Sequence, residues 1–298
     1  MAVQTPLIID AGTLKRLPTG DTFVGAAKGI YGDGSDGNVV IASGTTTLTR
    51  NMYYADLTIQ SGGILLTDGY IAFVKGTLTI DAGGTYRRNG TDATASSGAS
   101  APSVARPIDS AANGGNSATG NGGGGSIVSP VPFGYTGTGG AGGSSGARNG
   151  GAGGGATVRA ADSGDIRDSV AMRQMAFVGN GIPGLDFVRS GGGGGGGAGN
   201  GTQVGGGGGS GCPPNLVIAS RIVNNGTIQS KGGNGANAVN SDSAGGGGGQ
   251  GGLICIVTES YTGSGTTDVT GGAGGTGNGI GTAGTAGSSG LVIGPVPG

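Results

Sequence analysis

The acidic residues near the start of the sequence have types and spacing that could chelate a cation. Asp33, Asp36 and Asn38 fall in the segment Gly-Asp-Gly-Ser-Asp-Gly-Asn and carry the oxygen ligands that Ca²⁺ prefers. The segment lacks the twelve-position ligand set that ends in Glu, and Asp, Asn, Ser and Gly are also the common residues of turns. A turn is therefore the interpretation that we prefer.

A second acidic group has the spacing of carboxylates that could act in pairs. Asp162, Asp165 and Asp168 recur at every third position, and a pair of carboxylates flanking a sugar linkage is the machinery of glycosidases. Arg167 and Arg173 lie close by and favour a solvated charged face over a polysaccharide-cleaving site. We therefore predict no catalytic residue in this segment.

Other kinds of chemistry have no support in the sequence. The chain contains no His, so it lacks the commonest general base and the commonest transition-metal ligand. No glycine run is followed by Gly-Lys-Ser or Gly-Lys-Thr, the tripeptides of phosphate-binding loops. The formal net charge of -1 gives no reason to expect nucleic acid as a partner. We predict a protein that is not an enzyme and has no cofactor or metal site.

The two cysteines form neither a Cys-x-x-Cys motif nor a dense disulfide framework. Cys255 lies in the apolar run Leu-Ile-Cys-Ile-Val, which predicts a thiol buried in a strand. Cys212 precedes two prolines and is predicted to lie in a loop. Sequence spacing alone leaves a bridge between the two open.

Receptor recognition is the remaining chemistry that the residue types could support. A sugar ring or a protein loop requires a flat apolar surface with polar neighbours, which exposed aromatic side chains at loop tips supply. Phe133, Tyr135 and Tyr261 fit that description and are the predicted receptor-binding residues. The alternative that each covers an edge of the core stays open.

The chain that must position these residues has an unusual composition. Of its 298 residues, 79 are Gly and 11 are Pro, while hydrophobic residues make up 34%, aromatic residues 4% and charged residues 10%. These values argue against an ordinary enzyme core and equally against a highly charged disordered tail.

Strand signals are concentrated in residues 31–92 and return among the later glycine tracts. Runs of three to five residues alternate with Gly-containing corners, at 39–42, 45–49, 57–59, 64–66, 70–74 and 77–80. The signal recurs at about 213–230, 253–270 and 291–294, and the stretches 76–84, 225–233 and 265–272 read in parallel. Repeats that cannot bury their own apolar face are stabilised by stacking on one another, as in a solenoid.

The glycine tracts separate these strand units, at 122–125, 137–155, 191–197, 205–209, 245–249 and 271–290. The unbroken run 191–197 excludes collagen, but polyglycine can form an extended left-handed threefold helix that rises ~3.1 Å per residue and donates each N–H to a neighbouring strand. The sequence therefore predicts an all-β fold, with a short-strand β-rich N-terminal half followed by a β-solenoid-like core interleaved with polyglycine II strands, and little or no helix.

The predicted organisation has three parts. Residues 1–30 form an attachment or linker segment, residues 31–92 a β-rich domain, and residues 93–298 a glycine-rich domain. The segment 160–189 interrupts the pattern with little glycine and clustered charge, and residues 165–178 within it could form a short helix. The first ten residues have no basic region, and no segment approaches the apolar length of a membrane span, so we expect neither an export signal nor membrane insertion.

Several segments resemble glycine-rich tail-fibre and virion fibre proteins of tailed bacteriophages. They are Gly-Asp-Gly-Ser-Asp-Gly at 32–37, Leu-Thr-Arg-Asn-Met-Tyr-Tyr at 48–54, Leu-Thr-Ile at 57–59, the strand pair at 69–80 and the Asn-Gly-Thr-Ile turn at 225–228. The resemblance covers most of residues 30–92 and 213–298, whereas 93–212 match only in being rich in glycine. The glycine-rich part also resembles the polyglycine sandwich at the tip of some T-even-type fibres, where surface loops contact bacterial outer-membrane receptors.

This resemblance implies a tail-fibre or head-fibre component of the virion, assembled in the host cytoplasm and contributing to attachment to the bacterial surface. The implied partners are other virion proteins, through the N-terminal region, and a receptor that is an outer-membrane protein or a polysaccharide. Fibres are commonly threefold, so we expect a homotrimer, with a monomeric cap as the alternative. Two other functions stay open, a purely structural decoration that binds only virion proteins and an ice-binding protein.

Overall fold

A computed structural model describes residues 30–95, 97–98, 112–125, 137–158 and 191–294, and the strand backbone at 7–10, 13–16 and 128–131. Every regular element in this part of the chain is a β-strand, and it contains no helix, as the all-β prediction requires. The helix predicted at 165–178 lies outside the described residues.

The strands follow one another as β1 (Leu7–Asp10), β2 (Thr13–Arg16), β3 (Val39–Ile41), β4 (Gly44–Thr47), β5 (Met52–Tyr54), β6 (Leu57–Ile59), β7 (Gly63–Leu66), β8 (Ala72–Ile80), β9 (Thr85–Arg87), β10 (Val128–Val131), β11 (Gly137–Thr138), β12 (Gly155–Val158), β13 (Asn215–Asn224), β14 (Thr227–Gln229), β15 (Leu253–Val257), β16 (Ser260–Thr262), β17 (Thr266–Asp268) and β18 (Leu291–Ile293). Strands β1 and β2 form an antiparallel pair, and β10, β11 and β12 form a small sheet of their own.

Two parallel sheets contain the remaining strands. The larger has the order β18-β15-β13-β8-β6-β3, with β16 also paired to β13 and β5 to β8. The smaller has the order β17-β14-β9-β7-β4. Along the chain, one or two strands of the larger sheet are followed by one strand of the smaller sheet, and the series ends with β18 in the larger sheet.

Buried side chains from both sheets form one apolar cluster. In β6 and β7 alternate residues face it, because successive side chains in a strand point to opposite faces. The largest fully buried members are Leu57, Ile59, Leu65, Leu78, Ile80, Tyr86, Ile222, Ile228 and Ile254. Both the first β-rich region and the later strand units contribute to this core.

The prediction of strands of only three to five residues is wrong for β8, which has nine. The two predicted runs 70–74 and 77–80 are one strand, because Lys75-Gly76 is a bulge and not a corner: Ala219 pairs with Val74 but Arg221 pairs with Thr77. A Cβ at Gly76 would lie 2.8 Å from the carbonyl oxygen of Ala55. Glycine is needed there for close backbone approach.

The Gly-Gly corners between the sheets are correctly predicted. Gly62 and Gly83 have φ values of 78° and 84°, in the left-handed region that favours glycine. The second glycine of each pair packs against the backbone of an earlier strand, since a Cβ at Gly84 would lie 2.5 Å from the carbonyl oxygen of Ile59 in β6. The first glycine therefore turns the chain, and the second allows the close approach of the earlier strand.

The internal repeat has a different register from the one predicted. Thr227 pairs with Thr266, as the comparison of 225–233 with 265–272 requires, but its partner on the other side is Thr85 in β9. The predicted partner stretch 76–84 lies mainly in β8 and pairs with β13 instead. The pattern Gly-Thr recurs at both places, so local sequence did not distinguish them.

The glycine tracts leave the smaller sheet and return to the larger one. Their hydrogen bonds repeat every third residue, most completely in residues 244–252, where all nine backbone N–H groups donate to other tracts at 2.7–3.0 Å. The acceptors in order are Ala198, Thr282, Ala236, Gly195, Thr285, Gly233, Gly192, Ser288 and Ser230. Successive N–H groups therefore donate to three neighbouring tracts in turn, and the order repeats every three residues.

The same tract also accepts hydrogen bonds from three further neighbours, the segments 138–145, 206–212 and 269–278. It is thus surrounded by six tracts, and its residues are buried throughout. The glycine positions leave no room for a side chain: a Cβ on Gly248 would overlap the carbonyl oxygen of Gly272, and one on Gly208 would overlap that of Gly194. Tracts 191–199 and 205–212 are buried in the same way.

Candidate functional site

The tracts bring five turns together at one end. Tracts 205–212, 243–252 and 280–290 run from a turn directly into β13, β15 and β18, so the turns before them lie at the end away from the sheets. We call these turns together the distal cap, which comprises residues 119–121, 145–148, 200–203, 239–242 and 278–281.

Short-range hydrogen bonds and left-handed residues close the individual turns. Asn200 accepts from the N–H groups of Thr202 and Gln203 at 3.0 Å and 2.8 Å, the side-chain turn that Asn commonly forms. Asp242 and Gly279 have φ values of 55° and 58°. The sequence folds this way locally because Asn, Asp and Gly tolerate these conformations better than other residues.

Hydrogen bonds between turns join four of them in one row. Gly201 N–H donates to the Thr119 carbonyl at 2.7 Å, and the Asn200 side chain donates to the Ser241 carbonyl at 2.8 Å. Ile280 N–H then donates to the Asp242 carboxylate at 3.0 Å.

The remaining turn, 145–148, bonds to two members of that row. The Ser145 hydroxyl donates to the carbonyl of Asp242, and Ser145 also forms an isolated bridge with Gly281. The five turns therefore form one connected surface although they come from five separate parts of the chain.

The exposed side chains of the distal cap include polar ones and two large aliphatic ones. Val239 is 64% exposed and Ile280 is 68% exposed, the two largest values among the exposed large hydrophobic residues of the described chain. The same cap also exposes hydroxyl and amide groups, on Thr119, Asn121, Thr202, Gln203, Ser241 and Asn278. Such a surface can bind a partner through aliphatic contact and amide hydrogen bonds.

Tyr261, the predicted receptor-binding aromatic that the structure describes, lies outside the distal cap. Tyr261 is in β16 and half-buried, it packs against the core, and its hydroxyl accepts a hydrogen bond from the Asn224 amide at 3.0 Å. Burial raises the pKa of Tyr261, although the bond from Asn224 opposes that effect. Phe133 and Tyr135 lie outside the described residues. The role of all three in binding stays a prediction.

The predicted turn at 33–38 is present. Gly37 N–H donates to the Gly34 carbonyl at 2.9 Å, and the Asp36 carboxylate pairs with Arg50 at 2.5 Å. The hydrogen bond from Arg50 lowers the pKa of Asp36. Asn38 accepts from the N–H of Asp56 at 3.2 Å, so these side chains fasten the turn to the next layer.

Both cysteines are buried and unbridged. Burial raises the pKa of Cys212 to about 12 and that of Cys255 to about 11, so neither is a reactive thiolate at neutral pH. Asp162, Asp165 and Asp168 lie outside the described residues. The part of the chain that the structure describes contains no group of three or more His, Cys, Asp or Glu side chains that could hold a metal ion.

The sequence contains a signal for the turns of the distal cap, and this signal consists of turn-forming residue pairs and not of aromatic residues. The cap turns contain Gly-Asn at 120–121, Ser-Gly at 145–146 and Asn-Gly at 200–201 and 278–279, all pairs that mark turns. Only pairing between distant tracts shows that these turns share one end.

Comparisons of the chain with protein-family models, curated proteins and solved structures find no match. Within the described residues there is also no helix of a length and apolarity that would cross a bilayer.

Proposed function

We propose that this protein is a non-enzymatic fibre component of a bacteriophage virion, in the tail or the head, and that its distal cap contributes to attachment to the bacterial surface. The observation that carries the proposal is the connected row of turns with Val239 and Ile280 exposed at the end of the glycine tracts. The sequence resemblance to glycine-rich phage fibres supplies the setting.

The proposed architecture is a β-solenoid that supports a bundle of polyglycine II strands. The alternation of strands between two parallel sheets supports the solenoid. The three-residue rotation of hydrogen bonds around residues 244–252 supports the polyglycine II helix, which has three residues per turn. A bundle of this kind is stiff, because its tracts are bonded to one another, and it would hold the distal cap away from the two parallel sheets.

Binding to intact cells of a candidate host tests this function. Fluorescently labelled full-length protein should bind saturably, and the double variant Val239→Ser/Ile280→Ser should lose most of that binding. The matched control is Val40→Ser, since Val40 is also an exposed aliphatic, at 58%, but lies in β3. Equal binding by the double variant and by the Val40→Ser control would contradict a role of the distal cap in attachment.

A structural decoration protein is the second candidate, and one surface favours it. Residues 269–290 contain no charged side chain, and the backbone N–H groups of exposed Ala283 and Ala286 bond to no described residue. Such a surface suits packing against another protein. Folded protein that binds no candidate cell but co-sediments with virions lacking it would favour this role. The same regular surface makes thermal hysteresis a direct test of the ice-binding alternative.

A further inference from the structure

The tracts that lead into β13, β15 and β18 form a row in the same order as these strands in the larger sheet. Each tract donates to the next one with every third N–H group. Tract 205–212 donates from residues 206, 209 and 212 to the carbonyls of 244, 247 and 250, and tract 243–252 donates from 245, 248 and 251 to those of 282, 285 and 288, all at 2.8–3.0 Å. In the middle tract, therefore, each donating residue directly follows an accepting one.

The same order places the next donors of the row at Ala283, Ala286 and Ser289. Each of these residues directly follows one of the carbonyls that accept from tract 243–252. All three are exposed, and their N–H groups bond to no described residue. The row therefore ends with three open donors in the positions that would continue it.

This open row runs directly into an unpaired sheet edge. Strand β18 follows tract 280–290 and is the last strand of the larger sheet, where it pairs in parallel with β15. Leu291 in β18 is 40% exposed. Residues 283–293, which we call the terminal edge, contain none of the charged side chains that commonly protect edge strands.

Two other donor rows at the surface of the bundle are covered by side chains of a neighbouring tract. The N–H groups of Ala273 and Thr276 donate to the side-chain oxygens of Asn234 and Asn237, both at 2.8 Å. The N–H groups of residues 138, 141 and 144 donate to the hydroxyls of residues 288, 285 and 282 at 2.8–2.9 Å. Among the described residues no side chain covers the donors of the terminal edge in this way.

We propose that the terminal edge binds an extended segment of another polypeptide, in which a glycine-rich tract leads into a short apolar strand. The carbonyls of that tract accept from Ala283, Ala286 and Ser289, and the strand pairs with β18 as peptides do when they extend an exposed sheet edge. The partner needs glycine at every third position facing the edge. At the equivalent contact inside the row, a Cβ on Gly284 or Gly287 would overlap a carbonyl oxygen of tract 243–252.

The chemistry of the row favours a different polypeptide over a second copy of this chain. The three described tracts that lead into strands of the larger sheet, 205–212, 243–252 and 280–290, are already bonded to neighbours in their own bundle. A second copy would have to break those bonds to supply the segment. The inference deepens the structural-decoration candidate and rests on it only where the partner is placed in a virion.

A synthetic peptide with the sequence of residues 280–293 tests the proposal. That segment contacts tract 243–252 and β15 in the way that the partner would contact the terminal edge. Amide hydrogen exchange of the folded, full-length protein is followed by NMR with and without excess peptide. Near saturation, exchange at Ala283, Ala286 and Ser289 should slow by at least about tenfold.

The neighbouring tract supplies an internal reference for this measurement. The N–H groups of Gly271, Gly274 and Gly277 also bond to no described residue, but these residues are half-buried and lie outside the terminal edge. Their exchange rates should not change. A control peptide that carries alanine at the positions of Gly281, Gly284 and Gly287 should protect nothing, because its Cβ atoms would meet the carbonyl oxygens of the edge.

A pair of proline variants tests the role of the open donors. Ala286→Pro removes one donor and suits the extended tract, since proline fixes φ at about −65° and polyglycine II has a similar value. It should weaken peptide binding several-fold. The matched variant Ala152→Pro removes an exposed, unbonded N–H from a different tract and should leave binding unchanged. Thermal midpoints show whether both variants fold, and if Ala286→Pro does not, the alanine peptide decides.

Three results would overturn the proposal: no protection by the peptide of residues 280–293, equal protection by the alanine peptide, or protection at Gly271, Gly274 and Gly277 instead of the terminal edge. The assay contains neither cells nor virions. Protection of the terminal edge by a protein that binds no cell would therefore leave this proposal standing while the attachment function fails.

Discussion

The requirement for glycine in the bundle can be tested at Gly90, where the surroundings give a magnitude. A Cβ added there would lie 2.7 Å from both the nitrogen of Gly233 and the carbonyl oxygen of Ser210, whereas ordinary contact begins at 3.4 Å. Both atoms belong to backbone that is bonded to other tracts, so the residues around Gly90 must move away by about 0.7 Å. Gly90 has an ordinary backbone conformation, so this effect is steric.

That movement would break one hydrogen bond and weaken another. The bond from Ser210 N–H to the Thr91 carbonyl is 3.1 Å long, and about 0.7 Å more takes it beyond hydrogen-bond range. Gly90 N–H to the Lys231 carbonyl, at 2.7 Å, would be stretched as well. Because Ser210 is buried, the lost bond leaves an unsatisfied donor, and we expect Gly90→Ala to cost about 1–3 kcal/mol.

Urea unfolding followed by circular dichroism measures this change, with Gly124→Ala as the control. Gly124 also lies in a glycine tract, but a Cβ there would meet only the Ala152 carbonyl oxygen, at 3.6 Å. Its substitution should be neutral or stabilise the protein by up to about 1 kcal/mol, since alanine reduces the entropy of the unfolded chain. Equal destabilisation by the two substitutions would refute the argument that close backbone approach excludes a Cβ at Gly90.

Three further predictions concern a hydrogen bond between the two sheets, the buried thiol of Cys212 and the turn at 33–38. Tyr86→Phe should lower the free energy of unfolding by about 1 kcal/mol in urea titrations, because the buried Tyr86 hydroxyl donates to the Leu216 carbonyl at 3.0 Å and links the two sheets; an unchanged midpoint would show that this bond contributes nothing. The pKa of Cys212 rises from 9.0 unfolded to about 12 folded, so its contribution to stability is complete below pH 9 and is lost as the pH rises toward 12. Cys212→Ser should therefore flatten the alkaline decline seen in unfolding titrations, and an identical decline would count against it. The hydrogen bond from Arg50 lowers the pKa of Asp36 below 3.8, so the stability from this pair is present above that pH and is lost as the pH falls below it. Asp36→Asn should therefore reduce the acid dependence of the thermal midpoint. An unaltered dependence would contradict this pairing.

Much of the local structure could be predicted from residue patterns. The boundaries of β6 and β15 match the predicted runs 57–59 and 253–257. Gly62 and Gly83 turn the chain where Gly-Gly pairs predicted corners. These features depend on period-two alternation and on glycine's access to positive φ, both of which are properties of a few consecutive residues.

Partner choice among strands could not be predicted in the same way. Thr85 and Thr77 each follow a glycine, and only the parallel pairing of β14 with β9 places Thr227 beside Thr85. The bulge at Lys75-Gly76 likewise depends on how closely Ala55 approaches. Such choices are fixed by contacts between segments that lie far apart in the chain.

For the site, sequence by itself determined where the glycine tracts lie but not where they turn, because Asn-Gly pairs occur both at turns, as at 278–279, and within extended tracts, as at 234–235. It also determined that the tracts would have to bond to one another, since glycine offers no side chain to bury. Only the tertiary structure decided that turns from residue 119 to residue 281 share one connected surface, with Val239 and Ile280 exposed on it. The physical reason is that each tract's direction and neighbours are set by hydrogen bonds to tracts distant in sequence.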